Sequence, residues 1–264
     1  MHFGRMRQNR GITRATHSET RNDKMNERVT MEICVGDIES AIAAEAGGAD
    51  RVELCDNLAV GGTTPSAGSI AEACRRLNIP VHVLIRPRAG DFVHSECELA
   101  VIRHDIAVVK ALGAAGIVLG VLTKDATIDR DQTAKLIAIA RPLSVTFHKA
   151  FDQTRDLLES LDTLIALGVD RVLTSGGRPS ALEGIETLAK LVDRAGGQIA
   201  VLAGGHLGFD NLETIVRQSG TREIHLGSAV RRTPHGSETS WNQTDAQRVA
   251  AVVSLIRGLG SSHE

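Results

Sequence analysis

Two short segments carry the same pair of reactive groups at the same spacing: Glu32-Ile33-Cys34 and Glu53-Leu54-Cys55 each set a carboxylate two residues before a thiol. Carboxylates can hold or move protons, and thiolates attack electrophiles or bind soft metal ions. Farther along, Arg86 and Arg88 supply forked donors for anions, His148 and His225 supply imidazoles, and Asp152 adds a third acid. Three glycine turns, Ser175-Gly176-Gly177, Ala203-Gly204-Gly205-His206 and Leu226-Gly227-Ser228-Ala229, offer backbone amides that could cradle an anion. These groups are scattered over almost two hundred residues, so their chemistry depends on a fold that gathers them.

The chain contains such a fold in its periodicity. Short β-branched runs recur at Glu32–Val35, Arg51–Leu54, Val81–Ile85, Gly116–Gly120, Ser144–Phe147, Arg171–Thr174, Ile199–Leu202 and Glu223–Leu226. Between them lie segments with helical spacing, such as Leu99, Ile102, Ile106 and Val109, or Leu157, Leu161, Leu164 and Ile165. Strand alternating with helix implies a parallel sheet with crossover helices. The helix-to-strand joints also repeat, each opening on a glycine suited to a left-handed helix end: Gly48, Gly113, Gly168 and Gly220. The first strand lacks the Gly-x-Gly-x-x-Gly turn of an open dinucleotide-binding sheet, so the expected fold is a single-domain (β/α)8 TIM barrel over residues 31–264. The rhythm relaxes through Pro234–Asn242, and a last helix is expected from Asp245 to about Leu259, with Thr244 and Gln247 as its capping box.

Residues two apart share a face of a strand, so Glu32 and Cys34 lie on one side and Ile33 and Val35 on the other; Glu53 and Cys55 repeat the arrangement. The apolar side suits the helix layer, which turns the Glu/Cys side toward the barrel lumen. Arg86 then falls at the end of the third strand, Thr146 and His148 on the fifth and His225 on the eighth, at the mouth where such barrels work. Two buried carboxylates are expected to be compensated by Arg86, Arg88 and His148. A buried Glu–Arg pair that merely ties strands together is the plain alternative. The turns at Gly204-Gly205 and Gly227-Ser228 follow the seventh and eighth strands, the usual seat of an anion in this fold. Cys34 and Cys55 end neighbouring strands, which lie about 5 Å apart, so two thiols could meet there and suit Cu(I). Cys74 and Cys97 fall in helix or loop context and read as packing.

Composition narrows the partners. The chain has 264 residues, 42% hydrophobic and 23% charged, with a formal net charge of −2, which gives no field to attract nucleic acid or an anionic membrane. Aromatics are 2% with no Tyr, too few for base-stacking platforms. No apolar run approaches the roughly 18 residues of a membrane span. Four cysteines in a large chain without a secretory signal point to free thiols in a reducing cytoplasm. Residues 1–30 carry Arg5, Arg7, Arg10, Arg14, Arg21, Lys24 and Arg28 without an apolar segment and are expected to be a disordered basic extension, with Met31 an alternative start.

From Met31 to about Arg232 the chain resembles the CutC family of copper homeostasis proteins. The resemblance rests on Met31-Glu32-Ile33-Cys34-Val35, Gly47 to Cys55, Gly61-Gly62-Thr63-Thr64-Pro65-Ser66, Ile85-Arg86-Pro87-Arg88, Thr146 to Asp152, and Leu173-Thr174-Ser175-Gly176. It implies a cytoplasmic barrel, often a homo-oligomer, linked to copper tolerance and Cu(I) binding, with Cys34 and Cys55 as metal ligands. Two positions depart from the family's usual residues: Lys149 stands where Arg is commoner, losing a bidentate fork, and His206 where a third glycine is commoner.

Three functions are compatible with these residues. A copper protein would hold Cu(I) between Cys34 and Cys55. An isomerase, epimerase or lyase would bind a small anionic metabolite through Arg86, Arg88, Asp152, Ser175, Gly176, Gly204, Gly205, His225, Gly227 and Ser228, with Glu32, Glu53 or His148 moving a proton; no organic cofactor is expected. A scaffold barrel would need neither.

Overall fold

The computed structural model describes residues 28–233 and 242–259. The basic segment before residue 28 and nearly all of the irregular stretch after Thr233 lie outside the described residues. Eight strands, β1 (Thr30–Val35), β2 (Arg51–Leu54), β3 (Val81–Leu84), β4 (Gly116–Leu119), β5 (Ser144–Phe147), β6 (Arg171–Thr174), β7 (Ala200–Gly204) and β8 (Glu223–Leu226), alternate with helices α1 (Ile38–Ala46), α2 (Ala67–Arg76), α3 (Glu96–Ala111), α4 (Arg130–Ala140), α5 (Leu157–Ala166), α6 (Ile185–Ala195) and α7 (Leu212–Ser219). The strands close in sequence order into a parallel barrel, β8 pairing back onto β1. A short antiparallel pair, β9 (Arg231–Arg232) and β10 (Gln243–Thr244), leads into α8 (Ala246–Leu259).

One face of each strand turns outward onto the helices and is apolar: Ile33, Val35, Val52, Leu54, Val83, Ile117, Val145, Val172, Val201 and Ile224 are all buried in the main core. The helices answer with one stripe each, as in α3, where Leu99, Ile102, Ile106 and Val109 are buried and Ser95 with Glu98 forms a capping box. The four joint glycines Gly48, Gly113, Gly168 and Gly220 all have positive φ, which lets each helix end turn sharply into the next strand.

Two local expectations change. The seventh strand begins at Ala200 and runs on to Gly204, so the glycine turn after it starts inside the strand. The last helix is capped by Asp245, whose carboxylate accepts from the amides of Gln247 and Arg248, and not by Thr244. Thr244 is held in the extended β10 pairing, where its backbone amide donates to Ser40, and this leaves the capping position to the next residue, a strong N-cap type.

Candidate functional site

Strand register determines who meets whom in the lumen. Glu32 on β1 stands level with Arg51 on β2 and with His225 on β8. Arg51 donates from Nε to Glu32 at 2.5 Å and from Nη2 to Glu223 at 2.7 Å. Arg171 joins from β6, donating to Glu223 at 2.6 Å and to the hydroxyls of Ser144 and Thr146. Burial by itself would raise the Glu32 carboxyl; the charges of Arg51 and His225 outweigh it and hold the group well below the carboxylate range. His82, also inward, is pushed down to about 4 by burial and stays neutral. Gly116 leaves the space its ring occupies, since a Cβ there would lie 2.6 Å from His82 Nε2.

This corrects the expected pairing. Glu32 is compensated by Arg51 and His225, not by Arg86, Arg88 or His148. Arg86 lies beyond the end of β3, where its guanidinium reaches the carbonyls of Val60, Gly62 and Gly90. Arg88 turns to the surface and pairs with Glu98 and Asp91. The missed residues Arg51, Arg171, Glu223 and His82 are strand residues of the same parity as Glu53, Leu173, His225 and Leu84. The alternation that placed Glu53 inside therefore also places Arg51 there.

Above this ionic layer lies a cavity of about 340 Å³, lined among others by Cys34, Glu53, Cys55, Arg86, His148 and His225. The sulfurs of Cys34 and Cys55 are 3.9 Å apart, and Cys55 Sγ donates to Glu53 Oε2 at 3.4 Å. Cys34, Glu53 and Cys55 form a group whose ligand atoms all lie within 4.8 Å of one another. His225 donates through Nδ1 to Glu32 Oε1 at 2.8 Å, while its Nε2 lies 3.8 Å from Glu53 Oε2. The hydrogen bond with Cys55, aided by His225 and the charge of Arg231, overcomes burial and holds the Cys34 thiol well below its ordinary value, whereas the same bond together with burial pushes Cys55 up. Burial opposes protonation of His225 but is outweighed by its bonds to Cys34 and Glu32, so the ring's value is raised. Burial, with the charge of Cys34, pushes Glu53 up to about 8. The arrangement gathers two thiols of opposed acidity, a carboxyl biased toward its protonated form and an imidazole biased toward its charged form around a small space.

The remaining candidates divide. Gly205, Gly227 and Ser228 line the cavity, as do Lys149 and the exposed His206, which takes a left-handed conformation with φ of 55°. Asp152, Ser175 and Gly176 lie behind them in a self-contained brace: Asp152 accepts from the amides of Ser175 and Gly177 and pairs with Lys149 at 3.1 Å, Lys149 donates to Ser175 Oγ at 2.8 Å, and the Gly176 amide donates to Thr174. Gly204 is buried at the end of β7, level with His225. Leu84 and Leu173 join the wall with the inward parity of their strands, whereas Phe92 and Arg231 come from outside the barrel strands and carry no sequence signal of their own. Cys74 is half-buried on α2 and Cys97 exposed on α3, away from the sulfur pair.

Fold and site together define a class: a closed (β/α)8 barrel with a thiol- and carboxylate-lined cavity at the mouth formed by its strand ends. Residues 29–230 match the CutC family. The chain is 48% identical over 202 residues to the human copper homeostasis protein cutC homolog, covering 76% of this chain and 74% of that one. It is also 48% identical over 198 residues to the family protein CutC of Chromobacterium violaceum, covering 75% and 80%. The crystal structure of CutC from Streptococcus agalactiae superposes with a TM-score of 0.72 at 36% identity, over 76% of this chain and 98% of that chain. The chain belongs to the CutC family of copper homeostasis proteins. No helix among the described residues is long and apolar enough to cross a membrane.

Proposed function

We propose that the protein binds Cu(I) through Cys34 and Cys55 at the barrel mouth. The observation that carries this reading is the sulfur pair itself: two thiols on neighbouring strands, 3.9 Å apart, inside a cavity. One ion with metal–thiolate bonds of about 2.3 Å spans such a gap without moving the strands. Thiolates are the ligands a soft monovalent ion prefers, and the carboxylate of Glu53 is a poor substitute. The protein's own groups prepare the pair. Glu32, fixed by Arg51, orients the His225 ring, and His225 and Arg231 offset the negative charge of the Cys34 thiolate. The copper homeostasis name of the human relative supports the choice of metal. The reading also asks for a reducing compartment such as the cytoplasm, where thiol pairs remain free.

Anaerobic Cu(I) titration against a competing chromophoric chelator tests the assignment. The wild type is expected to take up Cu(I) tightly and the Cys34→Ser/Cys55→Ser variant to lose that uptake while keeping its fold. Equal affinity in the two proteins refutes the assignment.

A further inference from the structure

The cavity is larger than an ion between two sulfurs requires, and one of its walls carries a buried positive charge that no acid balances. Arg86 is 6% exposed. Its Nη1 donates to the carbonyls of Val60 at 3.2 Å and Gly62 at 2.9 Å, its Nη2 to Gly90 at 2.9 Å, and its Nε has no partner. No carboxylate among the described residues forms an ion pair with it. The guanidinium lies 5.0 Å from the centroid of the Phe92 ring, and that ring stands 4.7 Å from His148.

His148 is 6% exposed, lines the same wall and holds a second orphaned donor. Its Nδ1 accepts from the Ala150 amide at 3.2 Å, so the neutral ring carries its proton on Nε2, and that atom has no partner. Burial, reinforced by the charge of Arg86, pushes the ring down to about 3, which keeps it in this neutral, donating form. Gly120 holds the ring in place by leaving room for it: a Cβ there would lie 2.4 Å from the imidazole. Buried donors and buried charges without partners are costly, and a wall that keeps one of each around an open space is complementary to a ligand bearing both acceptor oxygens and negative charge.

We propose that this wall binds a small oxyanion metabolite, its carboxylate or phosphate group received by Arg86 and His148 and its body lying against Phe92, Leu84 and Leu173. The site differs from the glycine-turn seat that sequence patterns suggest, where Lys149 already pairs with Asp152. A volume of about 340 Å³ lies at the low end of ligand cavities, which suits a compact metabolite. The proposal goes beyond copper binding and does not rest on it.

Isothermal titration of the full-length, metal-free chain with malonate, and separately with inorganic phosphate, tests it at low ionic strength. Saturable binding of either probe, weakened at least tenfold by Arg86→Gln and by His148→Leu, is expected. A response to malonate alone identifies a carboxylate and a response to phosphate alone a phosphate ester. If Arg86→Gln fails to fold for want of its three loop contacts, His148→Leu decides. No saturable binding of either probe below about 10 mM, or binding that the folded variants leave unchanged, overturns the proposal.

Discussion

Replacing Arg51 with Met should destabilise the barrel by about 3 kcal/mol at neutral pH, and the loss should shrink as the solution is acidified. Arg51 and Glu32 have side chains only 7% and 1% exposed and are joined at 2.5 Å. Removing one partner of a buried pair costs about 3–5 kcal/mol because the other charge is left behind. The low end applies here: Glu32 keeps His225 at 2.8 Å, and Glu223 keeps Arg171 at 2.6 Å. Met fills much of the stem's volume, so little of the effect comes from a void. In the wild type the folded-state value of Glu32 is depressed, so its contribution is present above the unfolded value of 4.5 and lost only as pH falls through the folded value. Without Arg51, His225 and His82 must offset burial of Glu32 by themselves, and the expected rise of the folded value above 4.5 makes the variant lose stability as pH climbs through that window. Urea unfolding at pH 5 and pH 8 should therefore show a smaller gap between the two proteins at pH 5, with m unchanged. A difference under about 1 kcal/mol at pH 8, or one independent of pH, refutes the view that this pair is an interdependent buried charge couple.

Other perturbations separate the remaining contributions. His148 is held neutral with a value near 3, so the unfolded chain binds the extra proton below 6.5 and stability falls as pH drops through that window; His148→Leu should flatten the acid limb by at most about 1.4 kcal/mol per pH unit, read from urea midpoints. Gly184→Ala would set a Cβ 1.9 Å from the Ser175 carbonyl oxygen and should cost about 3 kcal/mol or more, whereas Gly113→Ala, with φ of 84° and nothing within 4 Å, should cost only about 1 kcal/mol for its left-handed backbone. Asp245→Ala should lower stability by about 1 kcal/mol through the lost cap of α8, while Thr244→Val, which removes a buried hydroxyl without a partner, should be neutral or stabilising; thermal unfolding of both distinguishes the true cap.

Much of the architecture is legible without coordinates because it depends on local periodicity. Eight apolar runs, helical stripes such as Leu99 to Val109, and four joint glycines are properties of neighbouring residues, and all appear in the barrel. Alternation likewise sends Glu32, Cys34, Glu53 and His225 inward from sequence alone, since side chains on a strand must point to opposite faces. What only the tertiary structure decides is register. Whether Glu32 faces Arg51 or Arg86 depends on how far each strand is staggered against the next, and stagger is set by helix packing around the whole ring. The same stagger, not the spacing along the chain, brings Cys34 and Cys55 to 3.9 Å. Arg86 reaches the mouth as its place after the third strand implies, but the carbonyls that hold its guanidinium and the Phe92 ring beside it come from loops, contacts that no periodic pattern encodes. Residue identities thus determine which groups enter the lumen, while closure of the barrel determines which of them touch, because contact across strands depends on angstroms that only the packed ring specifies.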